Sequence, residues 1–181
     1  MFAMQNNSGT GCEGDTVKDK RQWLSLLAVI PVVTLDQLSK FWIRANLLQG
    51  ESLPEAGSLR LTHVMNSGFI FGLPGNRVLL LVLPILAILS IITFFFYYLP
   101  GHCRFSMTGL CCICLGLILG GAVGNLADRL RLGYVTDFID VRLWDDFHWP
   151  AFNFADSSIV VGTCTLIYVL IRTGLFKEIY D

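Results

Sequence analysis

The chain has 181 residues, 54% of them hydrophobic and 15% charged, where soluble domains average roughly 45 to 50% and 25%. So apolar a composition points to a membrane. The formal net charge of −1 supplies no broad positive field, which leaves nucleic-acid binding by phosphate neutralisation without an electrostatic basis.

In chain order, residues 1–22 are polar, carry Lys18, Lys20 and Arg21, and are expected to form a flexible amino-terminal extension. Residues 24–43 form the first apolar run; with no small-residue cleavage site and with Asp36 and Lys40 near its end, it reads as a retained helix and not a cleaved signal peptide. In SLRLTHVMN, Leu59, Leu61, His63 and Met65 alternate with Arg60, Thr62 and Val64, the pattern of a half-exposed strand. Residues 78–99 are uncharged and long enough to cross about 30 Å of hydrocarbon as a helix. A short connection, Pro100 to Arg104, leads to a third run over 105–124, where Gly116, Gly120 and Gly124 let a neighbouring backbone approach closely. The same step of four reaches Asp128, which faces the helix bundle if the helix persists beyond Gly124.

In VTDFIDVRL, extension places Asp137 on a face shared with Val135, Ile139, Val141 and Leu143. A charge on such a face needs a reason, although from periodicity alone the favoured reading is a strand end beside solvent. The fourth apolar run, 156–175, follows FNFAD, in which Asn153 and Asp156 have the spacing of an N-cap and its third-position acid. A helix start there favours the ionised form of Asp156 through the helix dipole. Capping alone accounts for both residues.

Four crossings place both termini on one side of the membrane and residues 44–77 and 125–155 on the other, so the unusual polar residues gather at one face. Lysine and arginine counts on the two sides do not decide the orientation. If the cations beside the polar cluster serve it, the termini are cytoplasmic, and that orientation is adopted. Asp36 and Lys40 are four residues apart and meet on one helical face. A structural ion pair near the interface is slightly favoured over direct catalysis. Cys111, Cys112, Cys114 and Cys164 fall within apolar runs as small packing residues, and neither CxxC nor HExxH appears, so no metal site or cofactor is expected.

Five motifs in order, DQLSK at 36–40, NSGFIFG at 66–72, GNLADR at 124–129, GYVTDFID at 133–140 and FNFAD at 152–156, resemble lipoprotein signal peptidase, signal peptidase II. The resemblance implies an all-α integral membrane protein of the bacterial cytoplasmic (inner) membrane, with four transmembrane helices and a small extracytoplasmic β-sheet. Residues 23–176 form its peptidase domain and 177–181 a short cytoplasmic tail. It further implies an aspartic endopeptidase that cuts prolipoproteins on the amino side of a diacylglyceryl-modified cysteine, needs no cofactor, and is a target of globomycin. Asp137 and Asp156 match the family's catalytic aspartates. Asp36, Lys40, Asn66, Gly68, Asn125, Asp128, Arg129, Asn153 and Ala155 match motif residues that support the pair or hold substrate. Where the family usually carries small residues, often Ala-Ala, this chain has Phe69 and Ile70, so the loop after Asn66 is expected to pack differently.

If the two aspartates converge, they share a proton around an attacking water, with Asp156 as initial base. Two other readings stand beside this one. Asp36, Lys40, Asp128, Asp137 and Asp156 could line an ion path, or Ser39 or Ser67 could be a nucleophile with Lys40 as base.

Overall fold

The computed structural model describes residues 13–68, 77–93, 109–144 and 147–172. Within them the order is α1 (Glu13–Asn46), β1 (Ser52–Leu53), β2 (Leu59–Asn66), α2 (Arg77–Thr93), α3 (Gly109–Leu132), β3 (Val135–Trp144), β4 (Phe147–Phe152) and α4 (Phe154–Arg172). The strands form one antiparallel meander in the order β1-β2-β3-β4. The chain is therefore mostly helical with one small sheet. Helices α3 and α4 are long and apolar enough to cross a bilayer. In α2 the apolar stretch Leu81–Thr93 is shorter, and residues 94–99, where that run was expected to continue, lie outside the described residues, as do Pro100 to Arg104, the 177–181 tail, and Phe69 and Ile70.

Helix α1 is longer than its apolar run. It begins at Glu13, inside the segment expected to be a flexible extension, and continues without a proline until Pro31. Where the helices pass one another, polarity is inverted relative to a soluble protein. Leu35, Leu38 and Phe41 on α1, Leu83 and Leu86 on α2, and Val160, Val161 and Ile171 on α4 are exposed, while Asp36, Lys40, Asn125, Asp128 and Asn153 are buried. Apolar surface of this extent is unfavourable in water and suits hydrocarbon. Cys111, Cys112 and Cys114 pack inside as expected, but Cys164 is exposed on α4.

Close helix approach depends on glycines of α3. A methyl added at Gly120 would sit 2.9 Å from Val32 Cβ on α1, and one at Gly124 would sit 2.6 Å from Asp36 Oδ2. Gly121, outside the step-of-four series, meets α4: its added methyl would press on the Ala155 carbonyl and sit 2.5 Å from Ser158 Oγ and 2.7 Å from Ile159 Cγ1. Because backbone cannot yield as a side-chain tip can, Gly121→Ala should destabilise the protein by at least about 2 kcal/mol. Thermal unfolding in detergent checks this, and an unchanged midpoint would show that α3 and α4 are not so closely packed.

The helical geometry of α3 does persist past Gly124. It ends at Gly133, whose φ of 82° suits the left-handed position after a helix, and whose N–H bonds the Arg129 carbonyl at 3.1 Å. The turn delivers the chain directly into β3. There residues 135–138 are all buried, so the base of the strand is covered on both faces and Asp137 does not mark a solvent-facing strand end. Phe138 packs with Ile43 and Leu47 of α1, joining the sheet to the bundle. The expected β2 alternation holds only in part: His63 is buried but Leu59 is 65% exposed. The pairing of β2 with β3 shifts register between Leu61 and Val64, and such an irregularity re-aims the side chains on either side of it.

Asp140 clasps the sheet together. It accepts bonds from Arg60 and Thr62 of β2, at 2.5 and 3.0 Å, and lies 2.8 Å from His148 Nδ1 of β4. Burial acts to raise its pKa, but hydrogen bonds from His148, Arg60 and Thr62 outweigh that and hold it below the ordinary carboxylate value.

Candidate active site

Asn153 is the N-cap of α4. Its Oδ1 accepts the Asp156 N–H at 3.0 Å, and Asp156 Oδ2 accepts the Asn153 N–H at 3.2 Å, the reciprocal pairing that the spacing suggested. The cap leaves the Asn153 amide nitrogen to reach beyond its own helix. Nδ2 donates to Asp137 Oδ1 at 2.6 Å and to Asn125 Oδ1 at 3.1 Å. Asn125 Nδ2 in turn donates to Asp156 Oδ1 at 2.7 Å. The two asparagines therefore bridge Asp137 and Asp156, bringing strand β3 and helices α3 and α4 to one place.

On the far side of Asp137, Asn66 Nδ2 donates to Oδ2 at 2.9 Å, while its own Oδ1 accepts the Gly68 N–H at 3.1 Å. That turn fixes which way the Asn66 amide faces. Each of the four carboxylate oxygens thus accepts one hydrogen bond from neutral protein groups, and no cation touches either aspartate directly among the described residues. Asp137 is 2% exposed. Its pKa is pushed up to about 6, chiefly by burial, with the hydrogen bond from Asn66 opposing and the charge of Asp156 adding. The pair is unequally placed: Asp137 is buried and disposed to hold a proton, while Asp156 stands in the first turn of α4.

Beneath the pair lies an ionic layer. Lys40 Nζ is 2.8 Å from Asp36 Oδ2 and 3.5 Å from Asp128 Oδ2, and it donates to Asn125 Oδ1 at 2.9 Å. Because lysine only donates, it fixes the Asn125 oxygen toward itself and the amide N–H toward Asp156. Asp36 Oδ1 also accepts the Ala155 N–H at 3.0 Å, and Asp128 Oδ2 accepts the Thr136 N–H at 3.0 Å. Lys40 and Asp36 are fully buried and Asp128 is 1% exposed. They hold the backbones on either side of the aspartates and do not face a reaction space. Asp36 and Lys40 thus meet as a fully buried ion pair one helical turn apart on α1.

Ala155 is 0% exposed, so its methyl fills the space left between α3 and α4. Arg129 is half-buried and close enough to Asp156, Asp137 and Asp128 for its charge to act on all three. All eleven residues singled out in the sequence therefore lie in or beside one network. Three further members were missed. Gln37 donates to Asp36, the Gly124 carbonyl and Asp128. Arg44 reaches Thr136 Oγ1 at 2.8 Å and lies 3.7 Å from Asp128. The i, i+4 step from Asp36 through Lys40 leads on to Arg44, a signal that could have found it, and Thr136 stands beside Asp137 within GYVTDFID.

Ser39 Oγ donates to the Asp36 carbonyl at 2.8 Å, and Lys40 is committed to two carboxylates and an amide, so Ser39 and Lys40 do not form a nucleophile–base pair. Among the described residues, no three of His, Cys, Asp and Glu converge as a metal site would require.

The signal peptidase (SPase) II family model matches residues 28–172. The lipoprotein signal peptidase of Moorella thermoacetica is 44% identical over 147 residues, covering 81% of this chain and 91% of that protein. That of Halothermothrix orenii is 40% identical over 146 residues, covering 80% and 92%. A bacterial membrane enzyme solved by the in meso method at 2.3 Å superposes with a TM-score of 0.70 at 29% identity, covering 82% of this chain and 87% of the other.

Proposed function

Because the chain belongs to the signal peptidase II family, an aspartic peptidase family, we propose that it removes signal peptides from prolipoproteins by water attack between Asp137 and Asp156. The cut falls on the amino side of a diacylglyceryl-modified cysteine. The observation that carries this reading is the Asn125–Asn153 bridge, which ties both carboxylates into one neutral hydrogen-bonded unit.

In the first step Asp156 takes a proton from water, and the water oxygen bonds to the scissile carbonyl carbon. Asp137 gives its proton to the carbonyl oxygen, forming a tetrahedral diol. In the second step Asp156 passes its proton to the cysteine nitrogen as the C–N bond breaks. Asp137 recovers a proton from the diol, leaving a carboxylic acid and restoring the pair. Arg129, with its fixed fork of donors, meets carbonyl oxygens of the bound peptide.

The protein crosses the bacterial inner membrane four times, with α1 and α2 as spans beside α3 and α4, the sheet on the extracytoplasmic side and both termini in the cytoplasm. The long exposed apolar faces of α1 and α2 support this arrangement. Globomycin is expected to compete at the same site.

The test is the cleavage rate of a diacylglyceryl prolipoprotein peptide against its unlipidated form, with purified protein in detergent. Preference for the lipidated peptide supports the reading, and equal rates contradict the substrate assignment. A second expectation concerns pH. Asp137 must be protonated to act as the acid, and its pKa is raised to about 6, so kcat/KM should fall as pH rises through an apparent value near 6 that belongs to the pair jointly. A profile that instead climbs through that range contradicts the assignment of Asp137 as proton donor.

A further inference from the structure

Arg44 stands in the last turn of α1, where the helix dipole favours a cation whichever way its side chain points. The dipole accounts for the charge and not for the direction taken. The guanidinium turns inward: Nη1 donates to the Thr136 hydroxyl at 2.8 Å and lies 3.7 Å from Asp128 Oδ1. Asp128 Oδ2 accepts the Thr136 N–H at 3.0 Å, so an arginine, an aspartate and a threonine close a ring that ties α1, α3 and β3 together. Thr136 is fully buried, and its remaining polar group, the carbonyl, faces the Asn153 amide at 3.5 Å. The pairing of β4 with β3 ends at Ile139. On the edge that β4 leaves uncovered, side chains from two helices therefore meet the backbone groups of Thr136 in place of a neighbouring strand.

We propose that Arg44 is a positioning residue for the cleavage reaction, acting through the Thr136 hydroxyl to fix the strand at the residue before Asp137. The assignment rests on the function proposed above. Successive side chains of a strand leave it on opposite faces. Asn66 and Asn153 grip the Asp137 carboxylate on one face, and Arg44 grips Thr136 on the other, so β3 cannot rock about its own axis at this point. The backbone contacts of Thr136 are a weaker restraint, because the one at its carbonyl is long. Arg44 touches neither aspartate of the pair, and its influence reaches the rate through where Asp137 stands. Such placement matters, since misplacing a reacting group by about 1 Å costs on the order of a hundredfold.

The experiment measures kcat and KM on a diacylglyceryl prolipoprotein peptide with the full chain in detergent. The variants are Thr136→Val, Thr136→Ser, Arg44→Met and the Thr136→Val, Arg44→Met double variant, each purified as its folded fraction by size exclusion and assayed below its unfolding midpoint. Thr136→Val keeps the side-chain shape and removes the acceptor, whereas Thr136→Ser keeps the acceptor. Thr136→Val and Arg44→Met should each lower kcat about tenfold with KM within about twofold of the parent, as a displacement of a fraction of an ångström would. Thr136→Ser should stay within about twofold in kcat, and the double variant should fall no further than the lower single variant, since both changes remove one bond. An unchanged kcat in Thr136→Val, a Thr136→Ser rate as low as that of Thr136→Val, or losses that multiply in the double variant overturns the assignment. If Arg44→Met does not fold, the two Thr136 variants decide by the same results. Failure of the parent to cleave the peptide overturns the functional reading itself, which no loss confined to the variants does.

Discussion

Asp137→Asn and Asp156→Asn should each lower cleavage by at least about a thousandfold, within the range that loss of a positioned acid or base removes, while leaving a folded membrane protein. Neither amide can both hold and release the proton that the cycle moves. Folding should survive because each substitution costs only part of a neutral network. In Asp137→Asn the new amide accepts a bond from either Asn66 or Asn153 but turns its N–H groups toward the other donor, a loss of roughly 1 to 3 kcal/mol. In Asp156→Asn the cap from Asn153 Oδ1 to the residue 156 N–H remains. Initial rates on a lipidated peptide, with size-exclusion and helix content measured on the same samples, check both halves. Near-parental activity in either variant would remove that aspartate from the mechanism.

Lys40→Met should have the largest effect on stability. Lys40 is a fully buried cation serving Asp36, Asp128 and Asn125 at once. Its removal leaves two buried carboxylates without their shared counter-charge, a defect that typically costs about 3 to 5 kcal/mol. The cost extends to the site, because the Asn125 oxygen loses the donor that sets its orientation, and Asn125 Nδ2 is what holds Asp156. A paired Asp36→Leu, Lys40→Met variant removes one uncompensated charge along with the lysine and should recover part of the stability without recovering the rate. Thermal unfolding in detergent, read beside cleavage, separates the two effects. An unchanged midpoint in Lys40→Met would mean that the ionic layer does not hold the bundle.

Local periodicity made much of the fold legible. The step of four through the α3 glycines led correctly to a buried Asp128, and the spacing of Asn153 and Asp156 gave the cap of α4, because both features are written within one or two helical turns. The same reasoning missed Gly121, which serves a different neighbour from Gly120 and Gly124. It also grouped Leu59 with His63 on one side of β2, whereas the structure exposes Leu59 and buries His63. Convergence was the least legible part. Asn66 and Asp137 are 71 positions apart, and Lys40 and Asn125 are 85 apart. No periodicity couples such residues, and only the motif resemblance gathered them beforehand. Resemblance did not explain why three asparagines surround the aspartates. The structure supplies the physical reason: neutral amides can hold two carboxylates side by side without neutralising them, whereas a cation at either position would pull the pKa of Asp137 down and take away its proton at working pH.

The most direct test of the account is mass analysis of the products released when the purified chain acts on a diacylglyceryl prolipoprotein peptide. The expected result is two products, a signal peptide ending in a free carboxylate and a lipidated peptide beginning with a free cysteine amine, both lost in Asp137→Asn. Cleavage at any other bond, or the same two products from the Asp137→Asn variant, would contradict it.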